Sequence, residues 1–171
     1  MIPTLDHLRH FYRYVTWCDE QHLLACATVP AEGYLKDLGF AFKTIHDTAI
    51  HMAGAQDIWL ARFLGNTPTS FLSRKECPDL PALQRHWDGL HLRFSAYLEA
   101  LDEADLKLPF TWTTVANSTE NTLPLGHVIL HALDHSSYHR GQLNSMIRLA
   151  GGKPARNVMY SSWLLATGAH R

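Results

Sequence analysis

Cysteine is scarce and unpaired in this 171-residue sequence. Cys18, Cys26 and Cys77 are odd in number, and no two of them fall in a Cys-x-x-Cys spacing. Neither a disulfide framework nor a thiolate zinc clip is expected, and a reducing cytoplasm fits best. Charge of one sign is also lacking. Fifteen Lys and Arg face sixteen Asp and Glu, leaving a net charge of −1 with histidine neutral. That balance gives no electrostatic footprint for nucleic acid or an anionic membrane. No apolar run approaches the length of a membrane span, and the opening MIPTLDHLRHFYRY has no apolar signal core. Internal repeats, low-complexity tracts and linkers are absent as well. With 46% hydrophobic and 18% charged residues, one soluble domain over residues 1–171 is expected.

Histidine is what the sequence has in excess. Twelve residues are about three times the roughly 2% of ordinary globular chains. Histidine is the commonest metal ligand, so the surplus calls for a chemical reading. His7, His10, His22, His86, His91 and His170 are read as scatter.

Four long segments carry helical periodicity. The first runs from Leu5 to Ala27, with Leu5, Leu8, Tyr12, Val15 and Leu23 on one side. The second, Leu35 to Leu64, is apolar on most sides and stops at Gly65, which predicts a central, well-buried helix. The third, Pro81 to Leu101, spaces Leu83, Trp87, Leu90, Phe94, Tyr97 and Leu101 in alternating steps of four and three, a stripe suited to antiparallel bundles. The fourth begins near Pro124, which sits where a helix can start without losing a hydrogen bond, and ends at Gly151-Gly152. Between the third and fourth, Phe110 and Trp112 alternate with polar residues and Asn/Ser/Thr-rich turns follow, so an extended excursion or weak hairpin is expected. A short helix is expected around Tyr160 to Ala166. The fold class is therefore all-α.

The last long helix carries a ladder, His127, His131, His135 and His139, every four residues. Neighbours on such a ladder can chelate one ion. The whole ladder cannot, because each step climbs about 6 Å and metal–nitrogen bonds are near 2.1 Å. Helical phase chooses the pair. With His139 at 0°, the apolar face formed by Val128, Ile129, Ala132, Leu143, Met146 and Ile147 centres near about +30°. His135 falls near −40°, and His131 and His127 turn progressively towards solvent. The inward chelate is His135 with His139. A third ligand should come from a facing helix, where His46 and His51 are the candidates. They point about 140° apart, and phase does not decide between them because their helix is apolar nearly all round.

The segment His135-Ser136-Ser137-Tyr138-His139-Arg140-Gly141-Gln142, an HxxxHRGQ pattern, resembles the signature of the DinB-like (YfiT-like) superfamily. His51, eight residues before Trp59, looks like that family's earlier motif. The resemblance spans about residues 4 to 152. It implies a four-helix bundle of up-up-down-down sense, a homodimer, and a metal site made of His51, His135 and His139, selecting His51 over His46. It also implies a small-molecule substrate and, in some members, transferase or isomerase chemistry with a low-molecular-weight thiol such as bacillithiol, mycothiol or glutathione. Two departures stand out. Asp134 occupies a position where the family often has asparagine, and the tail after Gly152 lacks its usual aspartate.

Three neutral imidazoles leave a divalent ion its full charge and an open position. Such a site lowers the pKa of bound water to about 7 or favours a thiolate, the basis for hydrolysis or for sulfur attack on an electrophile. Zinc and nickel both suit imidazole. Gln142 and Arg140 are candidate helpers for substrate, although Arg140 and Arg62 are expected to be solvated or paired with Asp47 or Asp57. Asp47 and Asp134 are candidates to orient an imidazole, Trp59 is expected in the core, and His131 is a candidate to flank the entrance. The competing expectation is a metal-binding stress or interaction protein whose ion is structural.

Overall fold

The computed structural model describes residues 1–68, 70–114 and 119–169. The chain is mostly helical: α1 (Leu5–Cys26), α2 (Ala31–Tyr34), α3 (Ile45–Phe63), α4 (Leu80–Ala100), α5 (Leu125–Leu149) and α6 (Tyr160–Thr167), with strands β1 (Pro109–Thr113) and β2 (Glu120–Pro124) between α4 and α5. The strands pair antiparallel with Phe110 opposite Leu123 and Trp112 opposite Asn121. The extended excursion is therefore a hairpin. The turn expected at its tip lies outside the described residues, as does His170.

Local sequence sets the helix starts. Thr4, Thr44 and Asp79 each accept a backbone N–H in the first turn of α1, α3 and α4, satisfying a donor that the helix itself leaves unpaired. Pro124 precedes α5 as expected. Gly65 and Gly151 adopt φ of 78° and 81° just after α3 and α5, left-handed positions that glycine enters without a Cβ penalty.

One boundary differs from expectation. The second long helix starts at Ile45, not Leu35. Residues 35–44 form a loop in which Gly39 and Lys43 take positive φ and Phe40 bridges Lys43. Thr44 then caps α3, its hydroxyl accepting from the Asp47 N–H at 3.0 Å and donating to the Asp47 carboxylate at 2.7 Å. Once started, α3 is as central as its composition suggested, with no residue fully exposed.

The four long helices pack as a closed ring of neighbours. α1 touches α4 and α5, and α3 touches the same two. Residue pairs fix the directions. Arg9 near the start of α1 meets Leu98 near the end of α4, while Asp19 meets His91, so these helices are antiparallel. On α3 and α4, Asp57 meets His86 and Phe63 stacks on Tyr97, so these two are parallel. Ile2 and Val29, which flank α1, lie against Gly126 and Gly152 at the two ends of α5, making α1 and α5 parallel. Thr48, His51 and Gln56 meet Met146, His139 and Ser136 in that order, so α3 and α5 are antiparallel. The sense is up-down-down-up, which corrects the expected up-up-down-down. Two connections account for it: the segment between α1 and α3 returns the chain opposite to α1, and the β1–β2 hairpin returns it into α5 opposite to α4.

The core lies inside this ring. Leu8, Tyr12, Trp87, Leu90, Phe94 and Ile129 are among its fully buried side chains, each large aliphatic or aromatic group contributing about 1.5–3 kcal/mol on burial. The α4 stripe packs inward through Leu83, Trp87, Leu90 and Phe94, and Leu98 replaces Tyr97 at its deep end. Trp59 is core, as expected, in edge contact with Trp112 of β1. No helix among the described residues is long and apolar enough to cross a membrane.

Candidate metal centre

Because α3 and α5 run antiparallel in contact, His51 on one faces His135 and His139 on the other. His51 Nε2 lies 3.2 Å from His139 Nε2, which lies 3.3 Å from His135 Nε2. One nitrogen from each ring falls within 4.8 Å of the other two, and among the described residues this is the His/Cys/Asp/Glu group with the geometry to hold an ion. The spacing suits the task. A tetrahedral ion with nitrogen bonds near 2.0–2.1 Å separates its ligands by about 3.3 Å. His139 is buried; His51 and His135 are half-buried.

The hydrogen bonds and fields around the cluster favour bare nitrogens. His139 Nδ1 lies 2.9 Å from Gln142 Oε1. An amide oxygen only accepts, so Nδ1 carries the proton and Nε2 presents its lone pair to the cluster. Burial, with His139 and His135 nearby, pushes the His51 imidazole down to about 4. Burial also lowers His135, assisted by His139 and His131 and opposed by Asp134. The rings are boxed by aromatics. Phe42 stacks on His51 with centroids 3.9 Å apart, and Tyr138 meets His139 edge-on at 5.0 Å.

His46 has a different place. Its Nε2 donates to the Cys77 carbonyl and its Nδ1 accepts from the Tyr34 hydroxyl, both at 2.9 Å. Both ring nitrogens of this fully buried side chain are satisfied by the protein, so no lone pair is left for an ion. The group whose nitrogens converge contains His51 and not His46. Of the upper ladder, His131 is exposed and meets Trp59 edge-on, and His127 is half-buried outside the cluster.

Several candidate helpers sit elsewhere. Arg140 is buried and turned towards α1, where its Nη1 lies 3.6 Å from the Asp19 carboxylate and its Nη2 donates to Ser137 Oγ. Gln56 donates to both Asp19 and Ser136 in the same polar seam, at 2.9 and 3.2 Å. Arg140 is thus paired, but with Asp19 and not with Asp47 or Asp57. Arg62 donates to the Thr113 carbonyl and lies over the Trp59 ring. Asp47 is held by Arg74 through two 2.6 Å contacts, and Asp57 by His86 and Arg93. Asp47 therefore orients Arg74, and exposed Asp134 orients no ring among the described contacts. His22, His86 and His91, read as scatter, are working polar residues. His22 donates to the Cys18 carbonyl, and the other two pair with Asp57 and Asp19.

The DinB family profile matches residues 1–164. This chain belongs to the DinB family. A distant relative, Protein DinB of Bacillus subtilis (strain 168), is 22% identical over 153 residues, covering 85% of this chain and 87% of that protein. In this family member the cluster borders a cavity of about 700 Å³ lined by His51 together with Phe42, Ile50, Gly54, Phe71 and Leu72. Phe42, Tyr138 and the cavity wall had no part in the expected site. Phe42 was hidden by the reading of residues 35–44 as helix. Tyr138 carries a weak sequence signal, its place immediately before a candidate ligand.

Proposed function

We propose that this DinB family protein is a divalent-metal-dependent enzyme that acts on small electrophiles, by thiol S-transfer or by hydrolysis, at His51, His135 and His139. The observation that carries the reading is the convergence of three Nε2 atoms from two helices, with His139 held in the ligating tautomer by Gln142. Zinc or nickel suits such a donor set. A divalent ion held by His51, His135 and His139 would keep its full charge and would supply Lewis acidity for ionising a thiol or water near neutral pH. The protein's own groups do the rest. Gln142 holds the Nδ1 proton of His139, Phe42 shields one face of His51 from water, and the cavity receives the electrophile.

The nucleophile comes from outside the chain. All three cysteines are buried, and burial pushes each thiol up, Cys26 to about 12. A low-molecular-weight thiol cofactor is consistent with that, as free cysteines are with a reducing cytoplasm. The ring of helix contacts supports a single four-helix bundle domain, and a homodimer is the proposed assembly. A second reading has its own support: His51 stands on α3 and its partners on α5, so an ion would cross-link the two helices and could serve stability alone.

Metal content of purified untagged protein, by mass spectrometry, tests the site. About one transition metal per chain is expected, as in three-histidine sites, lost in His51→Ala, His135→Ala and His139→Ala but retained in His46→Phe. A well-folded wild type that stays empty after reconstitution would overturn the reading. Cobalt substitution then separates the two functions: a visible spectrum that ignores every added thiol removes S-transfer.

A further inference from the structure

The cavity beside His51 differs from the cluster in chemistry. Its walls are apolar, from Ile50 and Gly54 of α3 and from Phe71 and Leu72 of the segment leading to α4. At about 700 Å³ it falls within the usual range for a small organic ligand, roughly 300–1,000 Å³. Three charged residues also line it: Asp47, Arg74 and Lys75. Asp47 and Arg74 neutralise each other through their paired contacts. The exposed Lys75 has no ion-pair partner among the described residues. The adjoining Glu76 keeps its negative charge but lies outside the lining, its carboxylate turned to the Ser73 N–H and hydroxyl. The lining therefore carries one uncompensated positive charge beside a greasy wall, with a half-buried imidazole of the proposed metal site at one side.

We propose that this cavity binds a small organic anion, an aromatic or branched aliphatic body bearing a carboxylate, with the body against Phe71, Leu72 and Ile50 and the carboxylate towards Lys75. This assignment rests on the proposed function in treating that anion as the substrate class delivered to His51. An apolar body is sequestered by the wall at little polar cost, and the single cation selects an anion over its neutral analogue. Gly54 lets Leu72 pack close against α3: a Cβ there would lie 3.1 Å from Leu72 Cβ, so a larger residue would displace this part of the cavity wall.

The probes are 2-naphthoate and its neutral amide, titrated calorimetrically into purified full-length protein, wild type and variants. Wild type is expected to prefer the carboxylate. Lys75→Gln, at an exposed position, should reduce that preference by about threefold, the scale of a solvent-screened charge interaction, while leaving amide binding unchanged. Phe71→Ala, also exposed, should weaken both ligands. His135→Ala should leave the naphthoate preference intact. Failure of both ligands to bind, or equal binding insensitive to Lys75→Gln, overturns the proposal. So does naphthoate binding lost in His135→Ala yet unaffected by Lys75→Gln, since the carboxylate would then be reading the metal. An empty metal site with the Lys75-dependent preference intact would overturn the enzymatic reading and leave the cavity assignment standing.

Discussion

Replacing Gln142 with leucine tests whether the orientation of His139 matters for binding an ion. Gln142 Oε1 accepts from His139 Nδ1 at 2.9 Å, and the ring it holds is buried. Without that acceptor, the metal-free ring is free to move its proton to Nε2, where His51 and His135 offer acceptors at 3.2 and 3.3 Å. Metal binding would then require the proton to return to Nδ1, now buried with no partner. Leaving such a donor unsatisfied costs about 1–3 kcal/mol, or roughly 5- to 150-fold in affinity at 1.4 kcal/mol per decade. Loss of an outer hydrogen bond to a ligating imidazole elsewhere costs about 10–100-fold, the same range. Leucine is an equally good helix former, so α5 should be undisturbed. The assay is competition for zinc and nickel against a chromophoric chelator at fixed pH, with circular dichroism as the folding control. Gln142→Leu should bind roughly 10–100-fold more weakly, while Gln142→Glu, which keeps an acceptor, should bind within a few-fold of wild type. A leucine variant within about twofold of wild type, or both variants weakened alike, would refute the tautomer argument.

Two further outcomes follow from buried groups. Burial lowers the pKa of His22, His46 and His135 below the ordinary histidine value and that of His51 to about 4. Between about pH 6.5 and 4 the unfolded chain binds more protons, so stability should be full above that window and lost as pH falls through it. The urea midpoint of metal-free protein should be lower at pH 5 than at pH 7.5, and an unchanged midpoint would refute the burial of neutral imidazoles. Asp19→Ala leaves the Arg140 guanidinium buried opposite no carboxylate and should cost about 3–5 kcal/mol. A urea-unfolding difference under about 1 kcal/mol would mean that the seam is not held by charge.

The parts of this protein legible in its sequence are those governed by periodicity. The α4 stripe from Leu83 to Phe94 and the inward phase of His135 and His139 depend on which face of a helix a residue occupies, and these are found where their spacing puts them, with Leu98 taking the place of Tyr97 beyond. The start of α3 is not legible from hydrophobicity, because Leu35, Leu38, Phe40 and Phe42 carry apolar residues on ahead of Ile45. Thr44-x-x-Asp47 carried the missing signal, a cap whose hydroxyl accepts from the N–H three residues on. Helix direction was not legible, since loop length alone does not say whether a connection returns the chain at the same end or carries it to the other end of the bundle. His46 and His51 could not be separated by phase, because what distinguishes them is not on α3: Tyr34 and the Cys77 carbonyl saturate one, and α5 faces the other.

Arg140 shows why a motif is not read as one unit. His139 and Gln142 face the cluster between α3 and α5, whereas Arg140, about 100° further round the helix, reaches Asp19 on α1. Ser136, near +60° by the same count, accepts from Gln56 of α3, which also holds Asp19. Four consecutive residues, His139 to Gln142, thus engage two neighbouring helices, the imidazole meeting α3 and the guanidinium α1. The buried pair opposes rotation of α5 about its axis, because a turn large enough to move His139 out of the cluster would draw Arg140 away from Asp19. Placing the ligands and anchoring their helix are therefore linked tasks within the same stretch of α5.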